Sequence, residues 1–291
     1  MQTHVNSNNT RNSGNVHRFP TPQQDTKVLI EQSGFTIEAV IDKDVMTAKA
    51  FPRDVHKCVK NIEMTIAMSP EVAASCYYSI TKGKKTITGA SIRLAEICSS
   101  FWGNIQSGTR VISNNGKSIV VEGWCLDLET NTRVSHEVSR GILTREGTSY
   151  TTDMQNMTIA AASAIAFRNA IFKTIPRVFL DQALQMAMNM AVMTSGQEEF
   201  EKKRQNMFEY LERIGVRVEN IFAFFGKSSI QEFDVEDMRI IYGVKTSIKE
   251  GMIKAEEAFA LPETRADRIS AMIEVEDDVK TGGSCIKAPL F

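Results

Sequence analysis

At 291 residues, 42% of them hydrophobic, the chain is long enough for one large or two modest domains with a real core, and no apolar run approaches the roughly 18 residues of a membrane span. The formal charge of −1 divides into +1 over residues 1–25, +3 over 26–195 and −5 over 196–291, and Lys82 to Arg177 holds 12 basic against 7 acidic side chains. Five scattered cysteines without a CxxC pair and four scattered histidines argue against a disulfide framework or a zinc site, and with no signal-peptide pattern a soluble protein of the cytoplasm is expected.

Residues 1–25 are polar, rich in Asn, Ser and Thr, and without a period, which predicts a disordered arm. Thr36–Ile41 and Val45–Phe51 read as two short strands joined through Asp42-Lys43-Asp44 and closed by Pro52. Asp54 is a cap for a helix with Val55, Val59, Ile62 and Ile66 on one face, and a second helix is expected from Glu71 to Cys76 after Ser69-Pro70. Tyr77–Ile80 reads as a strand running into the lysine cluster Lys82, Lys84 and Lys85. Thr88 or Ser91 then caps a helix carrying Ile92, Leu94, Ala95, Ile97 and Phe101, with Gly103 as its stop. Strands follow at Ile105–Ile112, Ser118–Asp127 and Arg133–Leu143, the first two joined through Asn115-Gly116, a strong hairpin signal.

The most strongly periodic stretch is Asp153 to Ile175, a helix capped by Asp153, with small residues from Ala160 to Ala166 that let another element approach closely. Pro176 ends it. Val178–Met193 is an amphipathic, methionine-rich helix. Helices at Glu198–Ile214, Val218–Phe225, Val235–Lys249 and Lys254–Phe259 follow, with Asp234 and Ser228 as caps. The expected fold is α+β: a core over 26–195 with an antiparallel sheet packed on helices, a helical C-terminal module over 196–260, and a flexible acidic tail over 261–291.

No P-loop, GxGxxG, HExxH or GxSxG pattern is present, and no nucleophile has a neighbouring base, so the sequence makes no case for an enzyme and implies no cofactor. Asp127, Glu129 and Asp153 are the carboxylates that a metal-dependent nuclease would draw on, but turn chemistry accounts for the first two. The basic excess points instead to phosphate. Lys82, Lys84, Lys85 and Arg93 surround one helix start, Arg133, Arg140 and Arg145 lie on or after the third sheet strand, and Arg168, Lys173 and Arg177 end the long helix. Folded together they would line a groove for a polyphosphate backbone, with Trp102, Trp124, Phe101 and Phe167 as stacking residues. Thr88-Gly89-Ala90-Ser91, read as a helix N-terminus just after the lysines, is the sharpest phosphate site.

The blocks TGASIRLAEICSSFWGNI (Thr88–Ile105), WCLDLETNTR (Trp124–Arg133) and AAASAIAFRNAIFKTIP (Ala160–Pro176) resemble a group of phage and prophage proteins, and their arrangement is similar to phage single-strand annealing proteins of the RecT, Red-beta and ERF kind. Phe208–Phe259 resembles the helical module that follows the core in those proteins. The resemblance implies ATP-independent annealing of complementary single strands by a ring or filament of identical subunits, acting in the bacterial host beside a phage exonuclease. The acidic run Glu274–Asp278 and the end Pro289-Leu290-Phe291 resemble tails by which single-strand binding proteins recruit repair factors. The alternatives are a non-enzymatic phage structural or assembly protein and a metal-dependent nuclease.

Overall fold

A computed structural model describes residues 37–144 and 146–260; the expected arm over 1–25 and tail over 261–291 lie outside the described residues. The chain divides into two compact units, 1–47 and 48–291. Among the described residues the first contributes the body of α1 (Ile37–Ala50), which replaces the two expected strands. The segment around Asp42-Lys43-Asp44 contains no Gly, Pro or Asn to break a helix. Ile37, Ile41, Val45 and Ala48 recur at helical spacing, and Thr47 Oγ1 donates to the Lys43 carbonyl one turn back at 2.8 Å.

In the second unit, α2 (Val55–Ile66) is capped by Asp54, whose carboxylate accepts from Lys57 N–H at 3.1 Å. Cys58, Ile62 and Ile66 are its buried side chains, while Val55 is exposed, so the inward face is turned from the expected one. Ser69 caps α3 (Pro70–Ser75) with Pro70 in the first turn. A hairpin of β1 (Tyr77–Lys82) and β2 (Lys85–Ala90) follows, with Gly83 at φ 59° in its two-residue turn. This overturns the reading of Thr88-Gly89-Ala90 as a helix start. The cap of α4 (Ile92–Trp102) is Ser91, whose Oγ accepts from the Arg93 and Leu94 N–H groups and donates to the Ser75 carbonyl at 2.6 Å. The lysine turn sits at the far end of a six-residue strand, about 17 Å away. Lysine charge and helix N-terminus therefore do not converge on one phosphate.

β3 (Ile105–Asn114), β4 (Ser118–Asp127) and β5 (Thr132–Gly141) make an antiparallel sheet in sequential order. Side chains alternate across β4. Ile119 and Val121 pack under α5 (Thr152–Thr174) with Ala162 and Ala166, while Glu122, Trp124 and Leu126 point to the opposite, uncovered face. The cap of α5 is Thr151, not Asp153, which occupies the first turn. The alanines do admit close approach: a Cβ at Gly123 would lie 2.2 Å from the Ala166 carbonyl atoms.

α6 (Arg177–Ala191) closes the main core with Leu180, Ala183, Leu184 and Ala187 buried. α7 (Gln197–Arg213), α8 (Val218–Phe225) and α9 (Val235–Lys249) gather around Phe208, Phe233 and Phe259. Asp234 and Asp237 form a reciprocal capping box at the start of α9. Ser228 caps no helix, its N–H donating to Glu232, and the expected last helix is a single 3-10 turn, Ala255–Glu257. Residues 196–260 have their own core, and α9 also packs on the inner face of the β1–β2 hairpin. Gly243 abuts Ser79, Ser247 Oγ donates to the Ser79 carbonyl at 2.6 Å, and Tyr77 Oη donates to the Arg239 carbonyl at 3.0 Å. Among the described residues no helix is long and apolar enough to cross a membrane.

Candidate nucleic-acid interface

The hairpin has two unlike faces because β1 alternates. Tyr77, Ser79 and Thr81 are buried, while Tyr78, Ile80 and Lys82 stand on the outer face opposite Gly89, Ile87 and Lys85. Tyr78 lies across Gly89 so closely that a Cβ there would meet its hydroxyl at 2.7 Å. On the Tyr78 ring rests the guanidinium of Arg168, 5.1 Å from the centroid. Arg168 Nε donates to Asn169 at 3.2 Å, and its Nη1 is buried with no hydrogen-bond partner. Five residues further along α5, exposed Lys173 donates to His136 Nδ1 on β5 at 3.0 Å. Neither Arg168 nor Lys173 is in an ion pair among the described residues, although Glu250 lies close enough to Arg168 to feel its charge. Burial, then Lys173 and Arg168, hold the His136 imidazole below its ordinary value. The surface therefore runs from the lysine turn, over Tyr78, to the second half of α5 and the edge strand.

Lys82, Lys85, Arg168 and Lys173 are brought onto that strip. Lys84 is exposed in the turn itself, and Arg140 lies on the same sheet face as His136, four residues along β5. The remaining expected residues are elsewhere. Arg133 stacks on Trp124, 5.4 Å from the ring, on the uncovered face across the sheet from α5. Arg93 is paired with Glu96 at 2.7 Å at the start of α4, and Arg177 with Asp181 at 2.9 Å at the start of α6. Arg145 lies outside the described residues.

Trp102 is a core residue. It is 3% exposed, 5.5 Å from Phe179 and under the Arg53 guanidinium, so no base can stack on it. Tyr78, Gly89 and His136 belong to the strip and were missed. An alternating strand places Tyr78 on the lysine face once Gly83 is recognised as a turn, but nothing local marks His136.

Asp127 and Glu129 are held by a cation that sequence reasoning did not find. Arg53 Nη2 lies 2.6 Å from Asp127 Oδ1 and its Nε 2.9 Å from Glu129 Oε1, while Asn104 donates to the same Glu129 oxygen at 2.6 Å. Asp127 Oδ1 also accepts from the Glu129 and Thr130 N–H groups, closing the β4–β5 turn. Among the described residues no three His, Cys, Asp or Glu side chains gather as a metal site. No family model, curated protein or solved structure matches the chain.

His136 reports on the charge around it. Its folded-state value is depressed, so protonation as the pH falls below about 6.5 costs stability. Removing one cation should relax the depression: in Lys173→Gln the NMR titration midpoint of His136 is expected to rise. An unmoved midpoint would show that the Lys173 ammonium is not held against the ring in solution.

Proposed function

We propose that this chain binds single-stranded DNA along the strip from Lys85 to Lys173 and anneals it to its complement without nucleotide hydrolysis. The observation that carries the reading is the Tyr78–Arg168 stack. It joins the lysine face of the hairpin to two cations of α5 that are in no ion pair among the described residues, and one of them has an unsatisfied donor. Phosphates would take the cations, and a base would compete for the Tyr78 ring, which is a sequence-tolerant mode of recognition. The resemblance of the three sequence blocks to phage annealing proteins supplies the second step, pairing, together with self-assembly and an exonuclease that supplies strands. The chemistry on this strip is binding, and the reading assigns it no bond cleavage.

The test uses a labelled (dT)30 oligonucleotide, then a labelled mixed-sequence strand and its complement, each with and without Mg²⁺. Binding should weaken steeply with salt, duplex formation should accelerate, and no cleavage should occur. Lys85→Gln with Lys173→Gln removes two phosphate contacts and should flatten the slope of log affinity against log salt by about 1.4. An unchanged slope removes the strip from the interface, and Mg²⁺-dependent degradation would replace annealing with nuclease activity.

A further inference from the structure

A second surface carries excess positive charge, and the strip does not use it. Between α3, the start of α4, the end of α6, α7 and α9 lies a cavity of about 670 Å³. That is within the range of pockets that hold nucleotide-sized ligands. Five cations and three carboxylates line it. Two of the cations are already matched: Arg93 to Glu96 at 2.7 Å, and Lys203 to Glu199 at 2.9 Å. The other three, Arg213, Lys245 and Lys249, make no ion pair among the described residues.

Lys245 is the sharpest of these. Its stem is half-buried, and its ammonium lies over two aromatic faces, 4.7 Å from the Tyr210 centroid and 6.0 Å from Tyr242, with Arg213 also over Tyr210 at 5.6 Å. Burial and the neighbouring Lys249 make the charged form of Lys245 harder to hold than usual. Glu71 attracts Lys245 but does not outweigh burial and Lys249, and it also accepts from Ser69; Glu250, pushed up by burial, accepts from the Ile92 N–H at the α4 start and faces Arg168. A half-buried ammonium and an exposed guanidinium sharing one tyrosine ring, neither in an ion pair, are the complement of an anionic ligand that also carries a ring.

We infer that this cavity is a nucleotide site, with phosphate on Lys245, Lys249 and Arg213 and the base against Tyr210 and Tyr242. The inference does not depend on the annealing reading. The nucleotide is either free or one unit of a bound strand, and the recognition chemistry is the same for both.

The experiment titrates the full chain with 2′-deoxyadenosine 5′-monophosphate and, separately, with (dA)10, by calorimetry. The chains compared are wild type, Lys245→Gln with Lys249→Gln, and Lys85→Gln with Lys173→Gln. Saturable mononucleotide binding that weakens at least about tenfold in the cavity variant, and is unchanged in the strip variant, supports a free nucleotide. No mononucleotide binding, but at least a tenfold loss for (dA)10 in the cavity variant, supports a unit of a strand. If the cavity variant binds both ligands as wild type does, or if neither ligand binds wild type, the nucleotide site is overturned. Because a variant can misfold, acetylation of Lys245 and Lys249 in the wild-type chain is followed by mass spectrometry with and without ligand. Protection of these two lysines supports the site, and equal labelling overturns it. Failure of annealing with the cavity result intact would sink only the strip.

Discussion

Gly123→Ala should destabilise the fold by about 3 kcal/mol or more, the upper end of the usual cost of overpacking. The added Cβ would lie 2.2 Å from the carbonyl carbon and oxygen of Ala166 and 2.6 Å from the Phe167 nitrogen. These are backbone atoms of a 23-residue helix, so no side chain can swing away to make room. Lifting α5 would strip contacts from Ile119, Val121, Ala162 and Ala166 together. For a domain of this size the melting temperature should fall by about 6–12 °C. Gly141→Ala is the control, since it has open space around its Cβ position and no left-handed backbone, and its effect should stay within about 0.5 kcal/mol. Equal melting temperatures for the two variants would mean that helix and sheet are not in the contact described.

Arg53→Met should cost about 3–5 kcal/mol at neutral pH, the typical result of stranding buried charge. The side chains of Arg53 and Asp127 are 8% and 7% exposed, and Glu129 shares the same guanidinium. Burial alone would push the Glu129 carboxyl up, but hydrogen bonds from Asn104 and Arg53 outweigh it and hold the group below its ordinary value. The stability this gives is present above the unfolded carboxylate range, near pH 4.3, and is lost as the pH falls through the folded value. Without the guanidinium the depression of Glu129 shrinks, although Asn104 and the residue-53 N–H still donate to it, so the gap between wild type and variant should narrow as the pH falls through about 4.3. Adding Asp127→Asn and Glu129→Gln should recover most of the loss. A gap that is constant with pH, or no recovery in the triple variant, would show that lost packing rather than stranded charge is responsible.

The sheet was the most legible part of the chain. Asn115-Gly116 and Glu129-Thr130-Asn131 are turn sequences, and Gly116 and Asn131 do take positive φ, at 77° and 52°. The long helix declared itself through its period and its alanines. Errors arose where two periods fit the same residues. Around Val45 the apolar spacing supports either alternation or a helical face, and in TITGAS the cap candidate Thr88 drew the helix start back into a strand, while the alternative, Ser91, is the cap.

For the site, the strip's lysines were identified by charge alone. Arg53 could not be linked to Asp127 and Glu129, because a contact across more than 70 positions leaves no local trace. Trp102 was misjudged for the opposite reason: its neighbour Phe101 is the exposed member of the pair, and only the helical phase separates them.

The attachment of α9 to the hairpin bears on how shortened chains should be interpreted. A polypeptide stopped after residue 195 would uncover the inner edge of β1, with Ser79 and Thr81 facing water, the Tyr77 hydroxyl deprived of its acceptor and the Ser79 carbonyl of its donor. Two lone strands with a wet underside are poorly self-supporting and prone to stick to their copies. Loss of activity in such a fragment would reflect collapse of the platform that carries the lysine turn, not removal of a recruiting appendage.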